Sequence, residues 1–275
     1  MPLLALLFFI TAVLYASVGF GGGSTYSALL VLGDTDYRLL PSVALVCNLI
    51  VVTGGVWQYW RSGALKMSFA LPFVALSIPM AWFGGTMPIQ RETFVMFLGL
   101  SLLAAGIAMW IQAPEGKSSP PGSPVVIWFV GLPVGGAIGF LSGMVGIGGG
   151  IFLSPCLHLL RLADSKRIAA TSSFFIMVNS IAGLVGQTMK HGTTAHLSQL
   201  TEYAWLFVAV LLGGQIGSRL GTQLLSGRIV KRLTAVLVLY IDHGLAERDP
   251  SRRQDARARE LRIATIEPAL TTAIT

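Results

Sequence analysis

Hydrophobic residues in this chain come in long unbroken runs, and polar residues are confined to short gaps between them. The runs cover about Leu3 to Leu32, Leu39 to Trp60, Phe69 to Met87 and Thr93 to Ile111. Gaps such as Arg61-Ser62-Gly63 and Pro88-Ile89-Gln90-Arg91-Glu92 separate them. A stretch with no apolar period follows at Gln112 to Pro124 (QAPEGKSSPPGSP), after which the pattern restarts with Val125 to Leu160, Ile168 to Met189 and Tyr203 to Leu225. Hydrocarbon about 30 Å thick takes roughly 20 helical residues to cross, and none of the runs alternates as a barrel strand would. The expected fold is therefore all-α, a polytopic membrane protein of two homologous four-helix repeats with about 7–8 transmembrane helices. Residues 1–112 form the first repeat, 113–124 a Pro/Ser-rich linker, 125–241 the second repeat and 242–275 a polar, Arg-rich tail. The eighth run, Ile229 to Ile241, is short for a crossing, and the tail could form a polar helix or stay disordered. The N-terminus lacks a basic region and its apolar run continues past Leu14, so it reads as the first membrane helix and not as a cleaved signal peptide.

Composition narrows the class. Charged residues make up 11% of the chain against roughly 25% in an average soluble domain, and 53% of residues are hydrophobic. The formal net charge of +7 does not point to nucleic acid, because the bases cluster in loops beside apolar runs and in the tail. Two cysteines, Cys47 and Cys156, sit within apolar runs, so neither a disulfide framework nor a metal site is readable, and no cofactor motif appears. The partners to expect are a lipid bilayer and a small solute.

The internal repeat carries the candidate chemistry. Val18-Gly19-Phe20-Gly21-Gly22-Gly23 matches Val145-Gly146-Ile147-Gly148-Gly149-Gly150, each inside the first long run of its half. With a small gap Asn48 answers Asn179, and Gly84 and Arg91 answer Gly221 and Arg228. Three consecutive glycines break a helix and release backbone N–H groups, and the half-helix restarting after them points its positive end at the gap. Two such breaks meeting near the midplane would form an anion site, as in transporters built from broken helices. The candidate residues are Gly19, Gly21, Gly22, Gly23, Ser24, Thr25 and Asn48 in one half and Gly146, Gly148, Gly149, Gly150, Ser154 and Asn179 in the other. The competing reading for Gly84, Gly85, Gly213 and Gly214 is close helix packing, and for the two asparagines, Gln58, Gln187, Ser172 and Ser173 it is interhelical hydrogen bonding. A dinucleotide fingerprint fails, since Ser24 and Ile151 stand where it needs glycine. Ser154 and His158 lie one turn apart with no carboxylate to orient the imidazole, so catalysis is not expected. Asp and Glu occur only at run ends or in loops, which leaves no carboxylate proton relay at mid-depth.

If each run crosses once, one set of loops carries Arg38, Arg91, Arg161, Lys166, Arg167, Arg219, Arg228, Lys231 and Arg232, and the other only Arg61, Lys66, Lys117 and Lys190. The positive-inside rule then places the N-terminus outside, and Arg219 near a cytoplasmic end snorkels to the interface.

The residues SVGFGGGS in the first run, GMVGIGGGIFLSP in the fifth, two four-span halves and the Pro/Ser linker resemble the TauE/SafE sulfite exporter family, also called the toluene sulfonate uptake permease family. The resemblance covers about residues 3 to 240. It implies a secondary carrier in the bacterial inner membrane that moves sulfite, organosulfonates or related small organic anions, and not an enzyme. The C-terminus departs from the family pattern, because the eighth run stops early and an Arg-rich tail follows.

Overall fold

The computed structural model describes residues 2–33, 35–111, 124–160, 162–191 and 200–221. Among them are nine α-helices and no strand: α1 (Pro2–Val18), α2 (Gly23–Leu32), α3 (Leu40–Arg61), α4 (Met67–Thr86), α5 (Arg91–Ile111), α6 (Pro124–Val145), α7 (Gly150–Leu159), α8 (Ser165–His191) and α9 (Ala204–Gly221). The linker at 113–123, the eighth run at 229–241 and the tail at 242–275 lie outside the described residues. By length and composition α3, α4, α6 and α8 are long and apolar enough to cross a membrane.

Polarity is arranged inside out. Phe129 is 85% exposed, and Leu3, Trp57, Met96 and Met189 also point outward. Thr11, Ser77, Ser142, Thr171 and Ser172 are buried, and among the described residues no Asp, Glu, Lys or Arg is. Hydrocarbon selects this pattern, because an apolar side chain loses nothing by facing lipid and a polar one must find its partners within the bundle.

The first run does not cross once as a single interrupted span. Gly22 packs against Thr11 and Tyr15, the Tyr26 ring stacks on Phe8 at 4.8 Å, and Gly33 lies beside Leu4, so α2 runs back toward the start of α1. In the fifth run Gly149 meets Ile138, while Leu153, Leu157 and Leu162 join Ile127 in one apolar cluster, so α7 returns along α6. Each run is a long helix followed by a short re-entrant one. Left-handed glycines make the reversal possible, a conformation that costs other L-residues roughly 1–2 kcal/mol.

The reversal also changes which loops share a face. Ser62 lies with Lys166 and Ser218 at one end of the bundle, and Arg38 lies with Lys190 and Pro88 at the other. Tyr203 lies beside Thr35 and Asp36 at that second end. Arg61, Lys66, Lys166, Arg167 and Arg219 therefore share a face with Asp164, and Arg38, Arg91 and Lys190 share the opposite face with Asp36, Glu92 and Glu202. The grouping expected from loop order, Arg38 and Arg91 together with Lys166, is overturned. Among the described residues the N-terminal face still carries fewer bases, so the same rule puts it outside on a different set of residues.

Close backbone approach holds the helices. Gly131, Gly135, Gly139 and Gly143 line one face of α6, where Pro72 and the carbonyls of Phe73, Ser77 and Ala81 on α4 come so near that any added Cβ would overlap them. Gln187 on α8 donates to the Gly143 carbonyl at 3.0 Å, which identifies it as an interhelical tie. On the other side of the bundle Gly213 and Gly217 of α9 rest on the Phe9 and Val13 carbonyls of α1. Gly84 has the same environment against the Phe140 carbonyl of α6, which makes Gly217, one turn before Gly221, its packing equivalent. Replacing Gly143 by Leu should therefore lower thermal stability in detergent by about 1–3 kcal/mol or prevent folding. Gly54, where an added methyl group would meet no atom within 4 Å, should accept Ala without loss. Equal melting temperatures for the two variants would contradict the packing assignment.

Candidate functional site

The two breaks have the same construction. Gly19 and Gly22 have φ of 79° and 80°, and Gly146, Gly148 and Gly149 have 82°, 80° and 77°. Gly22 and Gly149 are the N-caps of α2 and α7, and neither helix start receives a side-chain cap. The first N–H groups of both 10-residue helices are thus left to whatever lies in front of them, with the positive helix end behind. The breaks also touch: a Cβ on Gly23 would lie 2.8 Å from the Ile147 carbonyl.

Asn48 of α3 fills the junction. It is 0% exposed and packs against Gly21 and Gly23 of one break and Gly148 of the other. Neither its amide nitrogen nor its amide oxygen has a hydrogen-bond partner. Leaving such a group unpaired costs about 1–3 kcal/mol, so this asparagine lowers the stability of the fold. From α8, Ile176 meets Gly21, Gly148 and Gly150, the same set of contacts with the two breaks exchanged. Asn179 does not reach the breaks: its Nδ2 donates to the Phe175 carbonyl of its own helix at 2.9 Å, and its Oδ1 is unpartnered. By contact, the residue answering Asn48 is Ile176 and not Asn179. That register departs from the offset of the glycine breaks by one residue, where Asn179 departs by four, and the second asparagine drew the sequence comparison about one turn too far.

The remaining candidates surround this centre. Ser24 and Thr25 are buried in the first turn of α2, where the Thr25 hydroxyl lies 2.8 Å from the Tyr15 hydroxyl. Ser154 is buried near the start of α7, and the half-buried His158 follows one turn later on the same face. The Gly19 carbonyl accepts from Ser173, and Tyr59 covers the Gly19 Cα closely enough that a Cβ would lie 2.8 Å from its hydroxyl. Tyr59 was missed in the sequence, although it lies on the Gly55 face of α3, three turns beyond Asn48.

A cavity opens at each end of the bundle. One, of about 310 Å³, has Gly19 on its floor and Ser17, Gln58, Tyr59, Ser62, Lys166 and Ser218 around it. The other, of about 260 Å³, is lined by Tyr37, Arg38, Pro41, Met144 and Lys190 among others, and Pro41 packs directly on Gly146. Each cavity thus abuts the first left-handed glycine of one break. Arg219 and Gln58 also line a wider groove of about 840 Å³ between α3 and α9.

Comparison with known proteins places the chain among membrane transporters. The family model described as sulfite exporter TauE/SafE matches residues 4–241. A probable membrane transporter protein, y4hK of Sinorhizobium fredii, is 30% identical over 240 residues, covering 86% of this chain and 94% of that protein. The probable membrane transporter protein YunE of Bacillus subtilis is 26% identical, covering 81% and 89%, and MJ0441 of Methanocaldococcus jannaschii, with the same description, is 28% identical, covering 67% and 71%. No solved structure matches. With the family model spanning nearly all of the apolar chain, this protein belongs to the sulfite exporter TauE/SafE family of membrane transporters.

Proposed function

We propose that the chain is a secondary transporter of the bacterial inner membrane that exports sulfite, an organosulfonate or a related sulfur-containing anion through a site between the two glycine breaks. The observation that carries this is the unpartnered, fully buried Asn48 amide set between the uncapped N-termini of α2 and α7. Two positive helix ends and one donor amide are what an anion needs when it leaves water, a transfer that otherwise costs of order 20 kcal/mol. Gly21, Gly22, Gly23, Gly148, Gly149 and Gly150 allow the backbone to approach it, and the Ser24, Thr25 and Ser154 hydroxyls supply further donors. Duplication with inversion accounts for the paired contacts. The helices α1, α3 and α4 correspond to α6, α8 and α9, and corresponding helices run in opposite directions across the bundle. A different small organic anion, or conduction without alternating access, is the competing reading.

Purified protein in proteoliposomes should show saturable, gradient-driven flux of one anion from a panel of sulfite, sulfate, thiosulfate, sulfoacetate and taurine. The same compound should raise the melting temperature, with stabilisation approaching about 2.7 kcal/mol at a hundredfold excess over Kd. Flux that stays linear with concentration would favour a channel, and no flux with any of the five would remove the sulfur-anion assignment.

Asn48→Leu separates binding from folding. Removing a buried amide with no partner should leave the melting temperature of the unliganded protein unchanged or raised, because an unpaired polar group disappears. Ligand-induced stabilisation should fall at least tenfold in apparent affinity, equivalent to about 1.4 kcal/mol. Asn179→Leu, which breaks only a bond within α8, should retain affinity within about threefold. Loss of affinity in the second variant and not in the first would reverse the assignment of the site.

A further inference from the structure

We propose that the two end cavities are paired anion-loading vestibules, one built on Lys166 and the other on Arg38 with Lys190. The inference rests on the transport reading for its purpose, but its ligand chemistry stands on the cavities themselves.

Each vestibule joins a cation to the floor of a glycine break. On the first face Lys166 stands over a cavity whose other polar groups are the hydroxyls of Ser17, Tyr59, Ser62 and Ser218 and the Gln58 amide. No carboxylate is among its described lining residues, and Gly19 leads from it into the break that holds Asn48. On the opposite face Arg38 and Lys190 line one cavity, close enough to repel each other, again with no carboxylate among the described lining residues. Asp36 lies outside that lining: its carboxylate accepts from the Arg38 backbone N–H at 3.0 Å, and its charge also favours the Arg38 guanidinium. Among the described residues the Lys190 ammonium donates to the Gln187 amide oxygen at 3.5 Å. Two cations that line one cavity, with no carboxylate among its described lining residues, attract an anion between them.

The vestibules correspond to each other. The register that pairs Asn48 with Ile176 also pairs Arg38 with Lys166 and Ser62 with Lys190, so each face presents a base at the start of the long helix that follows a re-entrant hairpin. Single basic residues in loops are ordinary. Two at equivalent positions, each in a cavity abutting the first left-handed glycine of a break, form a built pair. Between them lies the buried layer of Asn48 and Ile176, so the two cavities are separate in this state. The ligand class is a small oxyanion, sulfonate, sulfite or sulfate in size, since the cavities of about 310 and 260 Å³ admit it with part of its water.

The test reads charge selection in each cavity and needs no transport. In a background with Cys47 and Cys156 replaced by Ala, Ser62→Cys reports the Lys166 cavity and Ile89→Cys the Arg38–Lys190 cavity. Membrane-impermeant methanethiosulfonates, one anionic and one cationic, are applied from each side of membrane vesicles. The anionic reagent should label Ser62→Cys about tenfold faster relative to the cationic one than Lys166→Gln allows in the same background, in the range of electrostatic focusing by a charged cleft. Lys166→Arg should restore the preference, and millimolar sulfate should slow labelling only when the cation is present. Ile89→Cys should behave likewise toward Arg38→Gln and Lys190→Gln, from the opposite side. An anionic-to-cationic rate ratio that Lys166→Gln leaves unchanged, or labelling of both cysteines from one side, would overturn the proposal. Charge selection without saturable flux would sink the transport reading and leave the vestibules standing, while flux without charge selection would do the reverse.

Discussion

Everything in this fold follows from main-chain groups that have to be accommodated where water cannot reach them. An unbroken helix satisfies its own backbone, which is why most of the chain is helical, but a chain that reverses inside hydrocarbon leaves N–H and C=O groups without intrahelical partners. The two reversals after α1 and α6 are tolerated because they are buried against each other and against α3 and α8. Ser173 takes the Gly19 carbonyl, and the Gly19, Gly22, Gly146, Gly148 and Gly149 conformations remove the steric obstacle to turning. The N–H groups at the starts of α2 and α7 are left over, and that residue of unsatisfied polarity is the raw material for a binding site.

Glycine does a second and different job in the surrounding bundle. Along α6 the spacing of four residues between Gly131, Gly135, Gly139 and Gly143 keeps one helical face bare, and the α4 backbone settles onto it. Apolar side chains offer no net driving force between helices in lipid, so packing of this kind supplies the cohesion. The consequence for function is mechanical. α4 is fastened to α6, and α9 to α1 through Gly213 and Gly217, so each re-entrant hairpin carries a long helix that chain order assigns to the other half. On the proposed transport reading, movement at one break would be passed to the opposite half and not absorbed locally.

The sequence disclosed the helical membrane class, the two glycine breaks and their meeting, because run length and triple glycine have direct physical meaning. It did not disclose the reversal. A run such as Leu3 to Leu32 has the same composition whether it crosses once with a kink or enters, turns and leaves by the same face, and only the contacts Phe8–Tyr26 and Leu4–Gly33 decide. One wrong crossing moved Arg61 and Lys66 to the wrong side and hid the fact that Ser62 and Lys166 share a cavity. The pairing of Asn48 with Asn179 failed for a chemical reason: like residues attract an alignment, whereas packing repeats volume, and Ile176 fills the corresponding space without an amide. The glycine stripe on α6 was visible in principle as a four-residue spacing, but in a chain with 32 glycines it does not stand out from the rest.

The placement of charge bears on how such a site can work in both directions. A lysine at the level of Asn48 would hold an anion strongly, yet it would have to be carried uncompensated through the closed state whenever the site was empty, at a cost of several kcal/mol. Neutral dipoles carry no such cost, because the amide of Asn48 and the helix ends are polar without net charge, and the unloaded centre remains tolerable at about 1–3 kcal/mol per unpaired group. Full charges belong where water can still screen them, and Lys166, Arg38 and Lys190 stand at the mouths of the bundle, with no charged side chain buried among the described residues. On the proposed reading, cations concentrate the anion at each face and uncharged groups receive it at the centre. An anion held by dipoles is held loosely enough to leave, and an empty site made of dipoles can return.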